Sequence, residues 1–120
     1  MNQKEVFKRV AEHLITQNSK SGLNSGAKYK AADGKSCAIG CLLTDAAYNT
    51  TLEDRCVDNP PVVKAVQDSL EQEITKGDLE LLTKLQVIHD QEEVEHWQFF
   101  LNELSLHWFE TPLDNVLQEN

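Results

Sequence analysis

Cys37, Cys41 and Cys56 are the three thiols of the chain, and the first two stand four residues apart. On a helix that spacing brings both sulfurs to one face, where Cys56 or a histidine would complete a tetrahedral zinc site. Zinc modules usually present two close-spaced ligand pairs, whereas here a single pair is flanked by Ala38, Ile39 and Leu42. Buried free cysteine behaves as a small hydrophobe, and a structural role is the expected one. His89-Asp90 matches the adjacent pair of metal phosphohydrolases, but such sites need further histidines upstream and only His13 precedes it. A histidine at a helix C-terminus beside a capping aspartate explains the pair without chemistry. His96, Glu103 and His107 share a polar stripe at helical spacing, yet seven residues rise about 10 Å, too far for one ion to bridge. Gly34-Lys35-Ser36 has the ending of a phosphate-binding loop, but the glycine required five residues earlier is Tyr29. No catalytic residue, metal or cofactor is therefore expected. The alternative kept open is a metal- or thiol-dependent enzyme using Cys37, Cys41, His89 and Asp90.

The elements that must position these groups follow from periodicity and turn chemistry. Val6, Phe7, Val10, Ala11, Leu14 and Ile15 recur at helical spacing and predict a helix over about 4–18. The stretch 18–26, rich in Ser, Asn and Gly, reads as a mobile loop. Asp33-Gly34 between two short runs predicts a β-hairpin over about 28–39, too short to stand without helices against it. In the apolar run Ala38 to Leu43, Gly40 marks a close backbone approach. Thr44 and Asp45 are candidates to cap a short helix through Tyr48. Pro60-Pro61 opens a helix over about 60–74, Gly77-Asp78 precedes one over about 78–89, and the last runs over about 92–109 until Thr111-Pro112 stops it. The expected fold is mainly α, with four main helices and one hairpin in a single domain of 120 residues.

The last helix carries two apolar faces. Val94, Trp97, Leu101, Leu104 and Trp108 form one, and Phe99 and Leu106 form a second ridge almost opposite. A helix of a small domain normally buries one stripe, so the second ridge is either central packing or an exposed contact surface. Bordered by Glu95, Glu103 and His107, it would suit a protein-binding hot spot or a dimer interface.

Charge is unevenly distributed behind a net of −9, from 20 acidic and 11 basic residues. Residues 1–40 carry seven basic and three acidic side chains, a net of +4, which leaves four basic and seventeen acidic over 41–120, a net of −13. Either the two parts attract each other within the fold, or the second presents an acidic surface to a basic partner. Direct nucleic-acid binding is not expected of so acidic a chain, and no apolar run approaches the roughly 18 residues a membrane helix needs. The N-terminal Met1-Asn2-Gln3-Lys4-Glu5 lacks signal-peptide character, so a cytoplasmic location is expected, with the odd thiol set free.

Tyr29, the run from Asp33-Gly34 through Cys37-Ala38-Ile39-Gly40-Cys41-Leu42-Leu43 to Asp45, then Tyr48, and later Leu82, Leu85-Gln86, Ile88-His89-Asp90 and Trp97 carry a resemblance. Over roughly residues 27–105 the chain resembles a family of small, functionally uncharacterised proteins encoded by bacteriophages and prophages. It departs from that pattern at Thr44-Asp45-Ala46, where such proteins often carry Pro-Asp-Glu. The resemblance implies a phage or prophage origin and a packed junction in which Cys37, Cys41, His89 and Asp90 join the hairpin to the third long helix.

These observations lead to an expected binding protein of phage type acting in the bacterial host cytoplasm. Its expected partner is a host protein with a basic surface, such as a CRISPR complex or antiviral nuclease, inhibited by occlusion or nucleic-acid mimicry. The candidate contact residues are Asp68, Glu71, Glu73, Asp78, Glu80, Glu92, Glu93 and Glu95 on acidic helix faces, with Phe99 and Leu106 on the ridge. A homo-oligomer, most simply a homodimer through the same ridge, is the remaining alternative.

Overall fold

A computed structural model describes residues 1–22 and 28–119 and is mainly helical, with five α-helices among those residues. Helix α1, Gln3–Gln17, opens on a reciprocal cap in which the Asn2 side chain accepts from the Glu5 N–H and Glu5 accepts from the Asn2 N–H. It ends where Asn18 turns left-handed at φ 50° and donates its N–H to the Leu14 carbonyl. Val6, Phe7, Val10, Ala11 and Leu14 form its buried stripe, and it packs against the three C-terminal helices. Phe7 meets Phe109 edge-on with ring centres 5.4 Å apart.

Helix α2, Pro60–Leu70, begins on the expected proline and stops earlier than periodicity predicts, because Glu71 adopts φ 55° and the Gln67 side chain accepts the Ile74 N–H. Helix α3, Lys76–Gln91, exceeds its expected span at both ends. Gly77-Asp78 is the interior of a cap rather than a break: Thr75 accepts from the Asp78 N–H while the Asp78 carboxylate accepts from the Thr75 N–H. A 3₁₀ turn, Val94–His96, leads into helix α4, Trp97–Phe109, so the regular helix starts later than predicted. After Pro112 the chain forms helix α5, Leu113–Gln118, which sequence reasoning missed; Leu113 and Val116 are its buried anchors. Among the described residues, no helix is long and apolar enough to cross a membrane.

The predicted hairpin over 28–39 does not form, and no strand occurs among the described residues. The turn is there, with Gly34 at φ +87° and the Gly34 N–H bonded to the Ala31 carbonyl. It supports a single antiparallel bridge, Lys30 to Ser36. The ladder goes no further because its next donor, the Tyr29 N–H, goes to Glu53 at 2.8 Å, while the N–H groups of Lys30 and Ser36, which face away from the bridge, bond Glu53 and Gln17 at 3.1 and 3.0 Å. Thr44 caps a turn over 45–47 rather than a helix.

The expected mobile loop 18–26 is held over its first five residues. Gln17 donates to the Ser19 carbonyl, and the buried Ser21 donates its hydroxyl to the Lys35 carbonyl. Residues 23–26 lie outside the described part of the chain.

Candidate functional site

Helix α4 turns Trp97, Leu101, Leu104 and Ser105 into the core. With that face fixed, a residue half a helical turn away must point outward. Phe99 is 59% exposed and Leu106 41%, so the second ridge is an outer surface and not central packing. The Phe99 ring leans edge-on against Phe100, centres 5.1 Å apart. Glu95, Glu103 and His107, which border the ridge, are exposed.

The acidic candidates fall into distinct groups. Asp68, Glu71 and Glu73 line one shallow groove with Gln67 and Gln72, and Asp68 is paired along the helix with Lys64 at 3.3 Å. Glu80, Glu93 and Glu95 are exposed, whereas Glu92 is half-buried at the end of α3, its carbonyl accepting the Trp97 indole N–H at 3.2 Å. Asp78 is committed within the fold. Burial raises its carboxyl, but hydrogen bonds from Thr75 and the Gln3 amide and the nearby N-terminal charge outweigh that and hold it below its usual range.

Both readings of the charge asymmetry have structural content. Lysines of the positive first third do reach acids of the remainder: Lys4 to Glu119 at 3.2 Å, Lys28 to Asp54 at 3.9 Å and Lys30 to Asp45 at 3.5 Å. Each pair is partly exposed and contributes little to stability. None of the three uses an acid of α2, α3 or α4; of the helical acids only Asp78 meets the first third among the described residues, through the Gln3 amide and the N-terminal charge.

Cys37, His89 and Asp90 do meet, at the junction of the 28–43 segment with α3. The fully buried His89 accepts the Ser21 main-chain N–H on Nε2 at 3.1 Å, so its proton resides on Nδ1, which donates to Asp90 Oδ1 at 2.7 Å. The Gln86 amide donates to the same oxygen at 2.8 Å and accepts the Ile39 N–H at 3.1 Å. Cys37 lies beside this chain, its sulfur accepting the Gly40 N–H at 3.3 Å. Cys41 turns aside and donates to the Ala38 carbonyl at 3.1 Å. With both His89 nitrogens engaged, neither has a lone pair to offer a metal without breaking the junction.

Thiol chemistry meets a second obstacle. Burial pushes both the Cys37 and Cys41 thiols up to about 12, and only the thiolate is a good nucleophile or metal ligand. Cys56 is exposed. Titration of native protein with a thiol-reactive disulfide is therefore expected to show one fast thiol, abolished by Cys56→Ser, with the other two reacting only at the rate of unfolding. Fast reaction of all three would contradict this environment.

Sequence reasoning named Asp90 at this junction but missed the roles of Glu53 and Gln86. Glu53, which binds two main-chain N–H groups and the Tyr48 hydroxyl at 2.6 Å, gave no local signal. Gln86 and Asp90 did, as a glutamine and an acid four apart on a helix. Compared with family models, curated proteins and solved structures, the chain matches none.

Proposed function

We propose that this is a small acidic binding protein of phage type that acts in the bacterial cytoplasm by occluding a host antiviral defence protein, a CRISPR complex or nuclease. The observation that carries the reading is the outward ridge of Phe99 and Leu106 on a helix whose other face is already buried. Large apolar side chains in the open, rimmed by charge, are a common form of protein-binding hot spot. The surrounding Glu95 and Glu103 favour a partner that brings lysine or arginine to the rim.

A second copy is a poorer complement. In an antiparallel pair that sets Phe99 opposite the partner's Leu106, the numbering sets Glu95 opposite the partner's Glu110 at both ends, and facing like charges oppose association. The groove of Asp68, Glu71 and Glu73 supports a second reading, imitation of phosphate spacing toward a nucleic-acid-binding cleft.

Salt separates the two. Quantitative capture from bacterial lysate at low and high ionic strength is expected to recover the same host protein with wild type at both, and to lose it with Phe99→Ser or Leu106→Ser. Loss with Glu71→Gln/Glu73→Gln instead, together with steep salt dependence, favours mimicry. Capture unchanged by either pair overturns both.

A further inference from the structure

The junction that holds Asp90 in place also forms one wall of a cleft of about 450 Å³, a size common for small-ligand sites. Helix α3 supplies Thr83, Gln86, Val87 and Asp90, and the segment 54–58 forms the opposite wall, with Tyr29 and Cys37 between them. Val57 and Val87 make the walls apolar, and Val87 is 42% exposed although Leu81, Leu82, Leu85 and Ile88 of the same helix are buried.

The polar groups of this cleft are unevenly committed. Its donors are engaged: the Tyr29 hydroxyl donates to the Arg55 carbonyl, the Thr83 hydroxyl to the Leu79 carbonyl, and the Gln86 amide to Asp90. Its cations are turned to other partners. Lys28 faces Asp54, and Arg55 donates from Nε to the Thr51 carbonyl at 2.7 Å and from Nη1 to Asn59. Lys20 reaches only the main-chain oxygen of Asp90, at 3.4 Å. The Asp90 carboxylate is different: both its bonds, from His89 and Gln86, fall on Oδ1, and Oδ2 accepts none among the described residues. Asp58 adds a second carboxylate at the cleft.

We propose that this cleft binds a small organic cation, an apolar body bearing an amidinium, guanidinium or ammonium group, with its N–H donors on Asp90 Oδ2 and its body between Val57 and Val87. A carboxylate pinned through one oxygen presents the other in a fixed direction, which suits a charged donor and reduces the ordering required on binding. The site does not depend on the partner-binding role of α4.

Benzamidine, benzylamine and benzoate serve as probes, with binding followed by calorimetry and by amide shifts of Gln86, Val87 and Asp90. The expected result is benzamidine binding with a Kd on the order of 1 mM or tighter, benzylamine similar, and benzoate at least roughly tenfold weaker. Asp90→Asn is expected to weaken benzamidine about tenfold or more. Because that change also touches the His89 junction, Val87→Lys, at an exposed position on the wall, gives an independent test and is expected to abolish binding with melting unchanged. Absence of benzamidine binding to wild type, equal binding of benzoate, or benzamidine binding unaffected by Val87→Lys overturns the proposal.

Discussion

Gly40→Ala is expected to destabilise the protein by about 3 kcal/mol, as overpacking of a rigid interior does. A Cβ at this position would lie 1.7 Å from the Tyr29 carbonyl oxygen and 2.6 Å from its carbon. Both are main-chain atoms, so no side chain can rotate out of the way. Tyr29 is also held from several sides: its N–H goes to Glu53, its carbonyl accepts from Cys37, and its hydroxyl donates to Arg55. Moving it disturbs all three. Gly34 gives the contrast, since nothing lies within 4 Å of a Cβ there and only its φ of +87° resists substitution. Gly34→Ala is expected to cost about 1–2 kcal/mol, the penalty of left-handed backbone for an L-residue. Urea denaturation of both variants with unchanged m values measures the difference, and equal midpoints would contradict the close approach.

Trp97→Ala is expected to cost about 4 kcal/mol, in the range for large aromatic truncations in a core. The side chain is 2% exposed and lies against the His89 ring, centres 5.4 Å apart and planes 32° from parallel. Its indole N–H satisfies the Glu92 carbonyl where α3 ends. Truncation opens a cavity, removes that bond and uncovers His89, so the effect spreads to the Ser21–His89–Asp90 chain. Hydrogen exchange should therefore accelerate at the Ser21 amide in this variant, beyond what an equally destabilising substitution such as Leu14→Ala produces. A Ser21 amide unchanged relative to that control would show that Trp97 does not support the junction.

What could be read in the sequence divides along a physical line. Helix α1 was legible because Val6, Phe7, Val10, Ala11 and Leu14 declare one face, although the Asn2–Glu5 cap that starts it two residues earlier was not read. The Phe99 and Leu106 ridge was legible as a second apolar face, but whether it points inward depends on what covers α4, which spacing does not encode. Helix α5 was missed because six residues carry too little periodicity, and its position is set by tertiary contacts of Leu113 and Val116. The hairpin failed because local turn chemistry at Asp33-Gly34 is blind to competition from Glu53, which stands 24 residues from Tyr29 and takes the donor that would extend the ladder. Gly77 misled for the related reason that a glycine inside a capped first turn looks the same in sequence as one between helices. The junction around His89 was accessible only in part: the paired His89 and Asp90 were visible, the Ser21 N–H that closes the ring's other nitrogen was not.

The acidic character also resolves differently once the fold is known. Lysines of the first third are matched to Asp45, Asp54 and Glu119, which belong to connecting segments and the C-terminal end. The acids of α2, α3 and α4 remain outward, apart from Asp78, which caps its own helix, Asp90, which is bonded to His89 and Gln86 at the cleft, and Glu92, half-buried at the α3 end. In the proposed role the contact surface is an apolar ridge with an acidic surround, and hydrophobic contact rather than charge is expected to dominate its affinity.

The most direct test is the Kd of the purified host protein recovered by capture, measured for wild type, Phe99→Ser/Leu106→Ser and Glu71→Gln/Glu73→Gln at equal folding stability. The ridge variant is expected to weaken binding by a factor of about 100, the loss of roughly 3 kcal/mol typical of central hot-spot residues, and the groove variant by a factor of about 3 or less. A ridge variant that binds as tightly as wild type would contradict the account.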